Sequence, residues 1–153
     1  MRTAAFAICL ATWASAGVCQ DRQQFWRWVD GGRGPAAEWV MYGEVVFRAR
    51  CRASRELEIR FKFDPAEVAP KYALEDGVSI VLQGADLNER SIKLRSTVSG
   101  SFVTGSLKLT PAVAADIAAS PYVFLYGTNG PSNNYGDSDA VAFRRIVRQC
   151  AAR

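Results

Sequence analysis

GEVVFRARCRASRELEIRFKF, residues 43–63, is the stretch from which the fold class follows. Val45, Phe47, Ala49 and Cys51 alternate with Val46, Arg48, Arg50 and Arg52; then Leu57, Ile59, Phe61 and Phe63 alternate with Glu56, Glu58, Arg60 and Lys62. Successive side chains of a strand point to opposite faces, so this period of two describes two half-buried strands. Ala53, Ser54 and Arg55 break the pattern and join the strands as a hairpin. Both apolar sets are odd-numbered, and a three-residue loop that keeps them on one face sets Arg52 opposite Glu56 and Arg50 opposite Glu58. Each such pair contributes about a few tenths of a kcal/mol. Arg48, Arg60 and Lys62 are left as an unmatched cationic cluster, either a solvated sheet face or a contact for an anionic ligand or polymer.

More strands follow downstream. Val78 to Gln83 is a short apolar run closed by a turn of Gly84, Asp86 and Asn88, and Ile92, Leu94, Ser96 and Val98 alternate with Lys93, Arg95 and Thr97 in a single next strand. Ser99 and Gly100 mark a reversal into Phe102 to Leu109, where the interior Gly105 predicts a bulge or a close approach. Asp64 to Asp76, with Pro65 and Pro70, reads as an irregular crossing. Thr110 as N-cap and Pro111 in the first helical position start a short helix to Ala119, which Pro121 ends. Tyr122 to Tyr126 is a last strand. Gly127 to Asp139 is a loop of turn-formers long enough to be a functional tip, with Asn129, Asn133, Asn134, Tyr135 and Asp137 as candidate binding residues. Ser138 or Asp139 caps a final helix on which Ala140, Phe143, Ile146, Val147 and Cys150 share one face and Arg144, Arg145 and Arg148 lie opposite. The expected fold is mainly β: an antiparallel sandwich or barrel-like sheet with a short helix and a C-terminal helix packed on it.

At the front, Phe25, Trp26, Trp28, Trp39 and Tyr42 are dense. They offer a stacking platform for sugar rings or bases, or, as the favoured reading, Trp26 and Trp39 plug the open ends of the sandwich. Gly31 to Gly34 is a turn rather than a phosphate loop, because no strand is expected before it and no Lys with Ser or Thr follows it.

Before all of this, MRTAAFAICLATWASA has a minimal positive start at Arg2, an apolar stretch too short to span a bilayer, and small residues at Ala14 and Ala16. These are the marks of a signal peptide cleaved after Ala16, leaving one domain, residues 17–153, for a periplasmic or secreted location. The mature chain has no apolar run of transmembrane length. It holds Cys19, Cys51 and Cys150. Cys51 and Cys150 both sit on apolar faces and are the expected disulfide; Cys19 is then free, intermolecular or lipidated.

The 153 residues include 19 Lys and Arg, 15 Asp and Glu, and no His. So small a positive balance lacks the dense basic stripe of a nucleic-acid binder. Without His, neither a Ser-His-Asp nor a Cys-His arrangement exists, and zinc lacks its commonest nitrogen ligand, so no metal or cofactor is expected. Asn133, Asn134, Asp137, Ser138 and Asp139 offer oxygens for calcium but miss the spacing of an EF-hand and lack its distal Glu. Glu44, Glu56, Glu58, Glu67, Glu75 and Glu89 carry no local motif for glycoside chemistry.

A strand cysteine at Cys51 and a C-terminal helix VAFRRIVRQC ending at Cys150 resemble, in layout, small bacterial periplasmic proteins of the invasion-associated locus B type and type VI secretion accessory proteins. The resemblance spans Gly43 to Cys150, implies no catalytic residue, and carries the expectation of a non-enzymatic envelope role. The expected function is thus an exported binding or accessory protein of the bacterial cell envelope, contacting another envelope protein or an anionic polymer through Arg48, Arg60, Lys62 and the 127–139 loop. The alternative is a small secreted hydrolase or lyase acting on a polysaccharide or peptidoglycan through carboxylates that only the fold brings together.

Overall fold

A computed structural model describes residues 24–31, 34–52, 55–127 and 141–153. The chain is mainly β and its sheets are antiparallel. A large sheet of six strands has the order β1 (Gln24–Gly31), β2 (Gly34–Met41), β3 (Glu44–Cys51), β4 (Glu56–Lys62), β8 (Phe102–Lys108) and β7 (Arg95–Ser99). A small sheet of three has the order β6 (Glu89–Lys93), β5 (Ser79–Gln83) and β9 (Tyr122–Tyr126). Three helices, α1 (Pro70–Asp76), α2 (Pro111–Ala119) and α3 (Val141–Ala151), complete the described structure.

The β3–β4 hairpin has the expected register, with Arg50 opposite Glu58, Ala49 opposite Ile59 and Phe47 opposite Phe61. Because the side-chain period is two, that single register puts Phe47, Ala49, Cys51, Leu57, Ile59 and Phe61 on one buried face. Among the described residues, α3 and the small sheet pack on this face. Cys51 is bonded to Cys150, which joins β3 to α3 across a Cα–Cα distance of 5.2 Å. Trp26 of β1 meets Trp39 edge-on at 5.4 Å and Phe143 of α3 at 5.9 Å. Toward the other edge the small sheet takes over: a Cβ at Gly105 would lie 2.8 Å from Leu94 Cβ and 3.1 Å from Val78 Cβ. Gly105 is thus the close approach that its position inside a strand predicts. Gly127 plays the same part over the Phe61 ring, where a Cβ would be 2.5 Å away.

Several expectations need correction. The strand expected from Ile92 to Val98 is two strands in different sheets: β6 pairs with β5 and β7 with β8, and the chain passes from one sheet to the other at buried Leu94. Leu94 donates its N–H to Val78 O at 2.9 Å, and Ser96 Oγ accepts from Val78 N at 3.1 Å, so the corner keeps its backbone groups bonded. Asp64 to Asp76 is not wholly irregular; it ends in α1, with Pro70 in the first turn and Gly77 at φ +64° past the last residue. There it is Ala73 that is buried, while Tyr72 and Leu74 are exposed. The aromatic front is a hairpin of β1 and β2 with Gly31 opposite Gly34, so a strand does precede the glycine turn. Trp26 and Trp39 fill the layer beneath α3 rather than the open ends of a sandwich, and they are no solvent-facing platform.

The short helix is capped as expected: Thr110 Oγ1 accepts from Val113 N at 3.2 Å. On α3, Phe143, Ile146, Val147 and Cys150 are buried. Its arginines do not all face solvent. Arg144 Nη2 donates to Ser120 O at 2.8 Å and Pro121 O at 3.0 Å, tying α3 to the end of α2, and Arg145 lies 4.1 Å over the Trp28 ring.

Candidate functional site

The opposite, outer face of the large sheet is where the site residues collect. Cross-strand register places Arg27, Glu38, Arg48, Arg60, Thr104 and Thr97 in one row across all six strands. The neighbouring row runs Val29, Ala36, Arg50, Glu58, Ser106 and Arg95. With Arg52, Lys62 and Lys108, the face carries eight basic side chains against Glu38, Glu44, Glu56 and Glu58, a local excess equal to the +4 of the whole chain.

Two carboxylates organise these cations from below. Glu38 is 1% exposed although it faces outward, because Arg27 and Arg48 close over it. Arg27 Nε donates to Glu38 Oε2 at 2.8 Å and Arg48 Nε to Oε1 at 2.6 Å. Glu58, 6% exposed, takes Arg50 at 2.5 Å and Arg52 at 3.2 Å. Arg52 stands opposite Glu56 as expected, its N–H donating to Glu56 O at 2.9 Å, but its side chain reaches Glu58, while Glu56 also stands opposite Lys108. Guanidinium forks suit such shared carboxylates, and each trio keeps one net positive charge.

The expected unmatched cluster is therefore corrected in two of its three members. Arg48 is held by Glu38, which lies on a strand that sequence patterning did not reveal, and Lys62 Nζ pairs with Glu44 Oε2 at 2.5 Å. Arg60 alone of the three has no carboxylate partner among the described residues. Its guanidinium lies 3.7 Å over the Phe102 ring, in direct cross-strand opposition to Arg48.

Arg48 and Arg60 line a cavity of about 110 Å³ with Val45, Val46, Phe47 and Phe102. Its position follows from an irregularity between β2 and β3: Trp39 faces Phe47 and Val40 faces Val45, so Val46 is the extra residue of a β-bulge. A bulge bends its strand and re-aims the side chains beside it. Here it opens a gap at the end of the cationic row, next to an apolar stripe of Phe25, Val40, Val45 and Phe102. The arrangement can hold a negative group by charge-assisted hydrogen bonds while covering apolar atoms beside it.

Asn129, Asn133, Asn134, Tyr135 and Asp137 lie outside the described residues, as do Cys19 and the proposed signal segment. Among the described residues no group of three or more acidic or cysteine side chains converges as a metal site, and no helix is long and apolar enough to cross a membrane. Glu44 and Glu58 are each engaged with cations rather than with one another. Glu38, the residue that orders the site, went unrecognised in the sequence; a lone acid in the apolar run PAAEWVM, beside strands rich in arginine, was its only signal. No family model, curated protein or solved structure matches this chain.

Proposed function

We propose that the chain is an exported, non-enzymatic binding or accessory protein of the bacterial envelope, and that it engages an anionic partner through the outer face of its large sheet. The observation that carries this reading is Arg60: a cation without a carboxylate partner among the described residues, set over Phe102 and opposite Arg48 at a cavity. Like charges directly opposite on a sheet are destabilising, and a bound anion relieves that cost. The export-type N-terminus and the Cys51–Cys150 bond support an oxidising location, where disulfides persist. The resemblance in layout to locus B and type VI accessory proteins, read from the sequence, favours a role in contact rather than turnover.

Affinity for dextran sulfate, used as a model polyanion, tests the reading. Arg60→Glu and Lys108→Glu are expected to weaken binding by about tenfold or more at low salt, the effect of charge reversal on an electrostatic contact. Lys71→Glu on α1 is the control and leaves binding within about twofold. Equal losses from all three would reduce the interaction to net charge and remove the outer face as its site.

A further inference from the structure

We infer that the cavity between Arg48 and Arg60 is a subsite for one oxyanion, a carboxylate or phosphomonoester end group carried on a short apolar body. The inference rests on the outer-face reading above and names the group that the face takes. The sheet already builds the required arrangement twice. Glu38 sits between Arg27 and Arg48, and Glu58 between Arg50 and Arg52, each carboxylate held by two guanidiniums. Arg48 and Arg60 stand directly opposite each other on the adjacent strands β3 and β4, and no acid of the described residues pairs with Arg60. An oxyanion from outside completes a third trio.

Both guanidiniums are held in place before any ligand arrives. Arg48 spends Nε and Nη2 on Glu38 Oε1, at 2.6 Å and 2.5 Å, which keeps Nη1 for another acceptor; its side chain is 47% exposed. Arg60 Cζ lies 3.7 Å over the Phe102 ring, and no carboxylate among the described residues takes its N–H donors. Ordering the side chains in advance removes part of the entropic cost of binding. Val45, Val46 and Phe102 form the apolar wall, so atoms next to the charged group meet hydrocarbon rather than water. At about 110 Å³ the cavity is far below the roughly 300–1,000 Å³ of sites that enclose a whole small molecule. It takes an end group with a few carbons, not a length of polymer.

The test titrates the disulfide-intact protein at low salt with acetate, inorganic phosphate, hexanoate and hexyl phosphate, following the arginine Nε–H resonances. A parallel arm uses phosphatidylcholine vesicles with and without phosphatidic acid. Hexanoate or hexyl phosphate is expected to bind about tenfold more tightly than its small counterpart, since each buried methylene adds favourable transfer energy. Shifts should centre on Arg48 and Arg60. Arg60→Gln should lose about tenfold or more, Arg60→Lys less, because the ammonium keeps the charge without the planar fork. Phe102→Thr should remove the gain from the hexyl chain. Saturation by the soluble ligands supports the subsite. Added binding to phosphatidic acid vesicles shows that the group is also reached at a lipid surface, and its absence assigns a ligand free in solution. Equal affinity for long and short ions, shifts spread evenly over the outer-face arginines, or an unaffected Arg60→Gln would overturn the subsite. If dextran sulfate binding persists in that event, only the subsite fails; if it is absent too, the outer-face reading fails with it.

Discussion

Glu38 concentrates the physics of the outer face in one side chain. A carboxylate this deeply enclosed pays heavily for lost hydration, and Arg27 and Arg48 compensate with hydrogen bonds to separate oxygens. Glu38→Gln removes the charge and leaves two guanidiniums around an amide. Breaking a fully buried pair costs about 3–5 kcal/mol, but both arginines are about half exposed and can regain water, so the expected loss is about 1–3 kcal/mol. Urea unfolding measures it. A loss below about 0.5 kcal/mol would mean that the trio contributes nothing beyond an ordinary surface pair. Gly105 is the corresponding residue of the inner face. A methyl group there would press on Leu94 Cβ and Val78 Cβ, atoms close to the backbone that yield only if strands shift. Gly105→Ala is expected to destabilise by about 1–3 kcal/mol, and wild-type stability in that variant would contradict the close packing of the two sheets.

The tight turns act at the scale of elements. Tyr42 and Gly43 join β2 to β3 with φ of +49° and +83°, the two positive angles of a type I′ hairpin turn. Asparagine adopts that first angle more readily than tyrosine, and Tyr42 is 68% exposed, so little packing is lost. Tyr42→Asn is therefore expected to raise stability by about 0.5–1 kcal/mol in thermal or urea unfolding; a loss instead would show that the ring has a contact worth more than the strain. Elements differ in how openly the sequence declares them. β3 and β4 were legible because each has one polar and one apolar face, and their register followed from parity alone. β2 was not, since Ala36, Ala37, Trp39 and Val40 are buried on both faces and no alternation survives. Missing β2 hid Glu38, and with it the partner of Arg48. The passage between sheets at Leu94 was equally silent, because the period of two runs unbroken from Ile92 to Val98 while the hydrogen-bonding partner changes. α1 did leave a signal, Pro70 at its start and Gly77 after its end, but seven residues carry too little periodicity to outweigh two nearby prolines.

For the whole molecule, the division of labour between the faces of the large sheet is decisive. One face is closed by α3 toward β1–β4 and by the small sheet toward β8, and the disulfide holds the last helix to a central strand. A link between residues 99 apart in sequence restricts the unfolded chain by about 4.7 kcal/mol in the chain-entropy model. Replacing both Cys51 and Cys150 by serine should lower stability by about 2–5 kcal/mol in guanidinium unfolding, and an unchanged midpoint would show that the bond constrains nothing in the unfolded state. Among the described residues no helix or second sheet covers the other, cationic face, which leaves it for binding an anionic partner. Mapping arginine Nε–H resonances during titration with dextran sulfate tests it most directly. Arg27, Arg48, Arg50, Arg52, Arg60 and Arg95 are expected to respond while Arg90, Arg144 and Arg145 stay still; response at those three with a silent outer face would overturn the outer face as the binding surface.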